Sequence, residues 1–278
     1  MLLNTLTFHA PKTLAEASDL FGKLENVRLQ AGGTFLLNAL KLQKRKGTKT
    51  PEHIISLSKV KELIGIDTDK DKMTIKAMTT IDDLFESDLL NDNFAVLKTV
   101  CRNISTQPIR NMATVGGNLT CRYTWTEMPA VMIGLNAAMH FDGGSSMEAE
   151  KFFKNAAKTD KIFTHVEIKR DPKASIAYRR VKKTQFVDIP LLSLMINTTF
   201  NGNQFTNTRV AVNNCVAFAQ RDQKLEEFLN NSQKSSTLAD EALNHIDAAI
   251  YDTRSSDYKS HMFRVSLKSA IAQLVNSK

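Results

Sequence analysis

The stretch Ile109-Arg-Asn-Met-Ala-Thr-Val-Gly-Gly-Asn-Leu119 carries a glycine pair in a specific context. An earlier, less specific pair sits in Ala31-Gly-Gly-Thr34-Phe-Leu-Leu37. Upstream of that pair, Val27, Leu29 and Ala31 alternate with Arg28 and Gln30, the period of a strand, and Phe35 to Lys41 reads as a Leu-rich helix. Two glycines at such a corner have two explanations. They can take positive φ in a tight turn with nothing bound. Alternatively, their bare backbone lets a diphosphate approach consecutive N–H groups. Neither pair belongs to a G-x-G-x-x-G or a P-loop motif, and no Gly-Lys-Ser/Thr occurs anywhere.

Outward from these loops, the 278 residues are 42% hydrophobic and 24% charged, which is globular composition and excludes whole-chain disorder. The length suggests two or three lobes. A net charge of +8 raises the question of nucleic acid. Lys169 to Lys183 concentrates seven cations against one Asp, yet only Tyr178 interleaves with them as a stacking aromatic. That segment reads instead as a solvated strand pair facing phosphates or an acidic partner subunit, together with Arg110 beside the second glycine pair. Cys101, Cys121 and Cys215 are scattered and form no C-x-x-C, so neither a disulfide framework nor a metal cluster is expected. The six histidines show no ligand spacing, and no G-x-S-x-G elbow exists. No secretory signal or membrane-length apolar run is visible, and the expected location is the cytoplasm.

The remaining elements follow from pattern. Thr13-Leu-Ala-Glu16 is a capping box that opens a helix. Thr79-Thr80 with Asp82-Asp83 opens another. Phe94, Leu97, Cys101 and Ile104 mark an amphipathic helix, and Pro129 to Ala138 a Pro-initiated one. Strands are predicted over Ile54 to Leu57, Met73 to Ala77, Ile162 to Ile168, Ala174 to Val181 and Leu194 to Phe200. The last turns at Asn201-Gly202 into a third C-terminal strand around Arg209 to Val212. Helices follow at Asp222 to Leu229, Leu238 to Ile250 and Asp257 to Val275.

On the two glycine loops, and on Glu62-Leu-Ile-Gly-Ile66, Ala77-Met-Thr-Thr80, Ala177-Tyr-Arg-Arg180 and Asp257-Tyr258, the chain resembles the FAD-binding medium subunit of molybdenum hydroxylases, the carbon monoxide dehydrogenase and xanthine dehydrogenase group. The resemblance implies an α+β fold. Its parts would be a PCMH-type FAD-binding domain over 1–170, with lobes of about 1–56 and 57–170, and a C-terminal domain over 171–278 with a three-stranded antiparallel sheet and a helix bundle. Ala31, Gly32, Gly33, Thr34 and Phe35 match the family's first diphosphate loop, with Phe35 where Asp or Ser is common. Thr114, Gly116, Gly117 and Asn118 match the second. Glu127 matches an acid that binds FAD, although Cys121 to Met128 is bulkier than the family's small-residue stretch. Tyr123 and Trp125 there either cover the cofactor or pack the lobe interface. Arg179 matches a basic residue near the flavin ring, where it would stabilise negative charge on the reduced form. Asn213-Asn214 stands where the family often has Gly-Gly.

The implied role is electron transfer with no catalytic side chain in this chain. Substrate would be oxidised at molybdopterin in a large subunit, [2Fe–2S] clusters would lie in a small one, and FAD here would deliver electrons to an acceptor. The assembly would be a dimer of heterotrimers. A stand-alone flavin reductase of the same superfamily, or a structural subunit that has lost FAD, are the alternatives.

Overall fold

The structure, a computed structural model, describes residues 5–277 apart from 122, 124, 156–159, 188 and 252–255. Strands β1 (Thr7–His9) and β2 (Val27–Gln30) lie parallel on either side of β3 (His53–Ser56). Helices α1 (Leu14–Lys23) and α2 (Leu36–Arg45) make the crossovers. Ala17 and the flanking Leu14, Phe21 and Leu24 give α1 an apolar stripe that packs against Ile55 and Leu57. The Thr13 hydroxyl caps α1 by accepting from the Glu16 amide at 3.1 Å. Glu16 reaches back to the Lys12 amide at 2.7 Å rather than to that of Thr13, so the expected capping box is displaced by one residue.

The second layer runs β4 (Ile66–Thr68), β5 (Lys72–Lys76), α3 (Ile81–Glu86), α4 (Ala95–Asn103), α5 (Gln107–Arg110), α6 (Val115–Thr120), α7 (Met128–Gly134), β6 (Ala138–Phe141), β7 (Ser146–Glu148), α8 (Ala149–Lys154) and β8 (Phe163–Lys169). Its five antiparallel strands are ordered β4-β5-β8-β6-β7. Side chains alternate except at a bulge where the His140–His165 pairing gives way to Phe141–Phe163. Met73, Ile75, Met139, Phe141, Val166 and Ile168 face a core shared with α4 and α7. The helix predicted over Pro129 to Ala138 ends earlier, at Gly134. Asn136 takes a left-handed turn with φ 52°, a conformation its side chain tolerates, and Ala138 already belongs to β6.

The C-terminal part contains β9 (Ser175–Lys182), β10 (Pro190–Asn201), β11 (Gln204–Asn213), β12 (Gln220–Arg221), α9 (Gln223–Asn230), α10 (Leu238–Glu241), α11 (Ala248–Tyr251) and α12 (Asp257–Val275). The Asn201-Gly202 hairpin forms as read, with Asn201 paired to Gln204 and Gly202 at φ 59°. The two-residue β12 adds a fourth strand at the edge of the three predicted ones. Leu267, Ala270, Ile271 and Leu274 of α12 cover one sheet face, against Ala177, Leu194 and Ile196. The helix predicted from Leu238 to Ile250 is broken by a 3-10 turn at Ala242–Asn244. The buried Asp222 carboxylate accepts there from the Asp247 amide and the Tyr251 hydroxyl, both at 3.1 Å. An amide taken by a side chain cannot continue the helical ladder.

Candidate functional site

A cavity of about 880 Å³ opens where the β2–α2 corner meets the loop leading into α6. Both glycine pairs line it, together with Ala31, Thr34, Phe35, Thr114 and Asn118. Two segments eighty residues apart in the chain therefore form one wall, and they touch directly. A Cβ on Gly32 would stand 1.7 Å from the Met112 carbonyl oxygen, and a Cβ on Gly117 would stand 3.7 Å from that of Ala31.

The two loops use their backbones differently. Gly33 has φ +72°, a left-handed turn that aims the chain into α2. Phe35, at the N-cap of α2, offers no side-chain acceptor, so the helix opens beside the cavity without a side-chain cap. In the second loop the amides are taken. Val115 donates to Thr79 O at 2.9 Å, Gly116 to Ala77 O at 2.8 Å, and Gly117 to Thr114 Oγ1 at 3.0 Å. The expectation that both pairs offer free amides to a diphosphate is corrected here. Gly116 serves packing, because a Cβ would lie 2.7 Å from Ala77 O. What the second loop turns to the cavity is side chain. Asn118 Oδ1 is buried without a partner, as is Gln43 Oε1 on the α2 wall. Buried acceptors need donors, and hydroxyl or ring N–H groups of a bound dinucleotide would supply them.

Aromatic surface completes the wall. Tyr123 stacks on Trp125 with centroids 4.2 Å apart, and Phe35 approaches Tyr123 at 4.5 Å. Phe35 and the bulky Cys121 to Met128 stretch, two of the departures from the family pattern, thus meet in space and form one patch at the cavity. Of that stretch, Arg122 and Thr124 lie outside the described residues.

Glu127 lines the cavity, but its carboxylate is held internally. It accepts from Arg180 Nε at 2.5 Å and from the Tyr178 hydroxyl at 3.1 Å. Burial raises its pKa, and the Arg180 guanidinium opposes that rise. Glu127 therefore positions Arg180 and Tyr178, with each carboxylate oxygen already accepting one hydrogen bond. Arg179 is also corrected. Its guanidinium binds Ser269 O and Oγ and Gln273 Oε1 on α12, on the far side of β9 from the cavity. Strand alternation is the reason. Residues 178 and 180 point one way and 179 the other, so Arg180 is the basic residue that reaches the cavity. That periodicity was legible, as was the α2 face Leu36, Ala39, Leu40 and Gln43 that forms another wall.

The remaining cations near the loops are mostly spent. Arg110 pairs with Asp82 at 2.9 Å and Arg170 with Asp92 at 2.8 Å, so neither faces a diphosphate. Arg28 and Lys161 contribute the charge along the cavity wall. Burial pushes the Cys101 and Cys215 thiols up to about 12 and raises that of Cys121.

An α+β chain with two apposed glycine loops, an uncapped helix start and an aromatic patch around one large cavity has the features of a dinucleotide-cofactor-binding protein. The chain belongs to the family described as the FAD binding domain in molybdopterin dehydrogenase, whose family model matches residues 4–170. It is 27% identical over 225 residues to the carbon monoxide dehydrogenase medium chain of Hydrogenophaga pseudoflava, covering 77% of this chain and 76% of that one. It is 26% identical over 207 residues to the glyceraldehyde dehydrogenase medium chain of Sulfolobus acidocaldarius, covering 72% of each. The fold also matches a crystal structure of Cu,Mo-CO dehydrogenase with a TM-score of 0.87 and 25% identity over 99% of both chains. Among the described residues, no helix is long and apolar enough to cross a membrane.

Proposed function

We propose that the chain is the FAD-binding electron-transfer subunit of a molybdenum hydroxylase. It would take electrons from [2Fe–2S] clusters of a small partner subunit and pass them through FAD to an acceptor, while a large partner oxidises substrate at molybdopterin. The observation that carries this reading is the single cavity walled by both glycine loops. In it the uncapped start of α2 would receive the diphosphate. Asn118 and Gln43 would accept from hydroxyl or ring donors, and the Phe35–Tyr123–Trp125 patch would lie against a ring. FAD, when bound, supplies the redox chemistry, and the chain's residues bind, orient and desolvate it. Residues 1–170, in lobes of about 1–56 and 57–170, would carry that cradle, and 171–278 would close it through Arg180 and Tyr178.

A dimer of heterotrimers is the assembly that this role suggests, and the chain has surface for partners. Phe186, Val187 and Ile189, from 56% to 80% exposed, form an apolar loop next to the cavity, and Ile109 and Met112 lie exposed on the second glycine loop. A stand-alone flavin reductase has less need of such surfaces. The test is a visible spectrum of the purified chain after addition of FAD, followed by co-purification from the native host. Flavin bands at one FAD per chain, with molybdopterin and iron–sulfur partners, are expected. Absence of flavin bands would leave a structural subunit, and flavin reduction by the isolated chain without partners would favour the reductase.

A further inference from the structure

The sequence shows no ligand spacing among its histidines, but the second sheet brings two of them together. In the antiparallel pairing of β6 and β8, His140 lies directly opposite His165, and Glu167 follows two residues later on the same face. The imidazoles stack with centroids 4.4 Å apart. Each residue offers one ligand atom, and these atoms lie within 4.8 Å of one another.

The hydrogen bonds set which atoms carry lone pairs. The Thr164 hydroxyl donates its one proton to His140 O at 3.1 Å, so it accepts from His165 Nδ1 at 3.0 Å. His165 is therefore the Nδ1–H tautomer with a bare Nε2, the arrangement that outer-shell partners impose on metal-binding histidines. His140 Nε2 is buried and has no hydrogen-bond partner, and it lies 3.4 Å from Glu167 Oε2. Two ligands about 2.1 Å from a tetrahedral metal stand about 3.4 Å apart. His165 Nε2, at 3.9 Å from Glu167 Oε1, needs only a small side-chain adjustment. The opposing group is Lys72, whose ammonium holds Glu167 Oε1 at 2.5 Å and leaves Oε2 toward His140. Lys76 on the same face is paired with Asp67.

We infer that His140, His165 and Glu167 form a binding site for a divalent transition-metal ion on the face of the five-stranded sheet opposite its core. Two imidazoles and a carboxylate select Zn²⁺ or Co²⁺ over Mg²⁺ or Ca²⁺, with open positions left for water. Such an ion would tie β6 to β8.

The test is calorimetric titration of untagged full-length chain with Zn²⁺ at neutral pH, with Co²⁺ absorption reporting geometry. One strong site with a tetrahedral or five-coordinate Co²⁺ spectrum is expected. His140→Ala and His165→Ala should each weaken it by at least about tenfold, with unchanged metal-free melting showing that the variants fold. Lys72→Met should tighten it by removing the competing cation. The second histidine pair, His9 and His53, hydrogen-bonded at 3.2 Å, is the control, and His9→Gln should leave binding unchanged. Binding that is absent, that survives both alanine variants, or that disappears in His9→Gln overturns the proposal.

Discussion

The two glycine loops look alike in sequence and are built for different tasks. In each, the first glycine is consumed by protein packing: Gly32 against Met112 O and Gly116 against Ala77 O. The second is not blocked by other backbone. A Cβ on Gly33 would meet only the Gln30 side chain, at 2.9 Å, and one on Gly117 would meet Thr114 Oγ1 at 3.1 Å. The loops part company in their amides. The first leads into a helix with no side-chain cap, while the second has a capped helix and spends its N–H groups on Ala77, Thr79 and Thr114. One loop leaves open the helix start proposed to receive the diphosphate, and the other is a buttress beside it. A Gly-Gly dipeptide identifies neither task by itself.

The sharpest way to break this comparison is Gly32→Ala. A methyl group 1.7 Å from a carbonyl oxygen forces the loops apart, so a loss of about 4 kcal/mol in chemical denaturation is expected, together with loss of FAD. Gly33→Val should behave differently. A β-branched residue at φ +72° costs about 2 kcal/mol, and the chain should stay folded by circular dichroism while flavin absorbance is lost. If Gly33→Val retained flavin, the first loop would not be the donor. Thr114→Val removes the cap of the buttress and should cost about 1 kcal/mol in melting experiments. Flavin affinity should fall only to the extent that α6 shifts. Phe35→Leu, which removes the ring contact with Tyr123, should weaken FAD binding by about 1 kcal/mol, close to a fivefold change in Kd by fluorescence quenching.

Local signals read well. The Thr80–Asp83 capping box, the Asn201-Gly202 hairpin and the bounds of α12 follow from short-range chemistry and stand where the sequence puts them. Elements set by distant partners were not legible. Nothing within Ala138 to Glu148 announces two strands, because β6 and β7 are defined by pairing with each other and with β8. Glu127 and Arg179 were placed by resemblance. The carboxylate is committed to a guanidinium fifty-three positions later, and Arg179 sits on the opposite face of its strand from Arg180. Both outcomes depend on how β9 docks, which no local pattern encodes. The histidine pair on β6 and β8 was invisible for the same reason.

The docking of the C-terminal sheet on α7 has a mechanical consequence. The last carbonyls of that short helix are received by side chains from the other half of the chain, Ile133 O by Arg209 and Gly134 O by Asn197, and Thr126 O just before it by Asn213. Met195 and Ala211 sit in the same buried cluster as Met139 and Val166. A fragment cut at residue 170 would strand those carbonyls, leave Glu127 without Arg180 and open the core. A fragment of residues 1–170 is therefore expected to melt below the whole chain, which thermal denaturation of the two would check. By the same contacts, a substitution that loosens β10 is expected to disturb α7 beside the cavity.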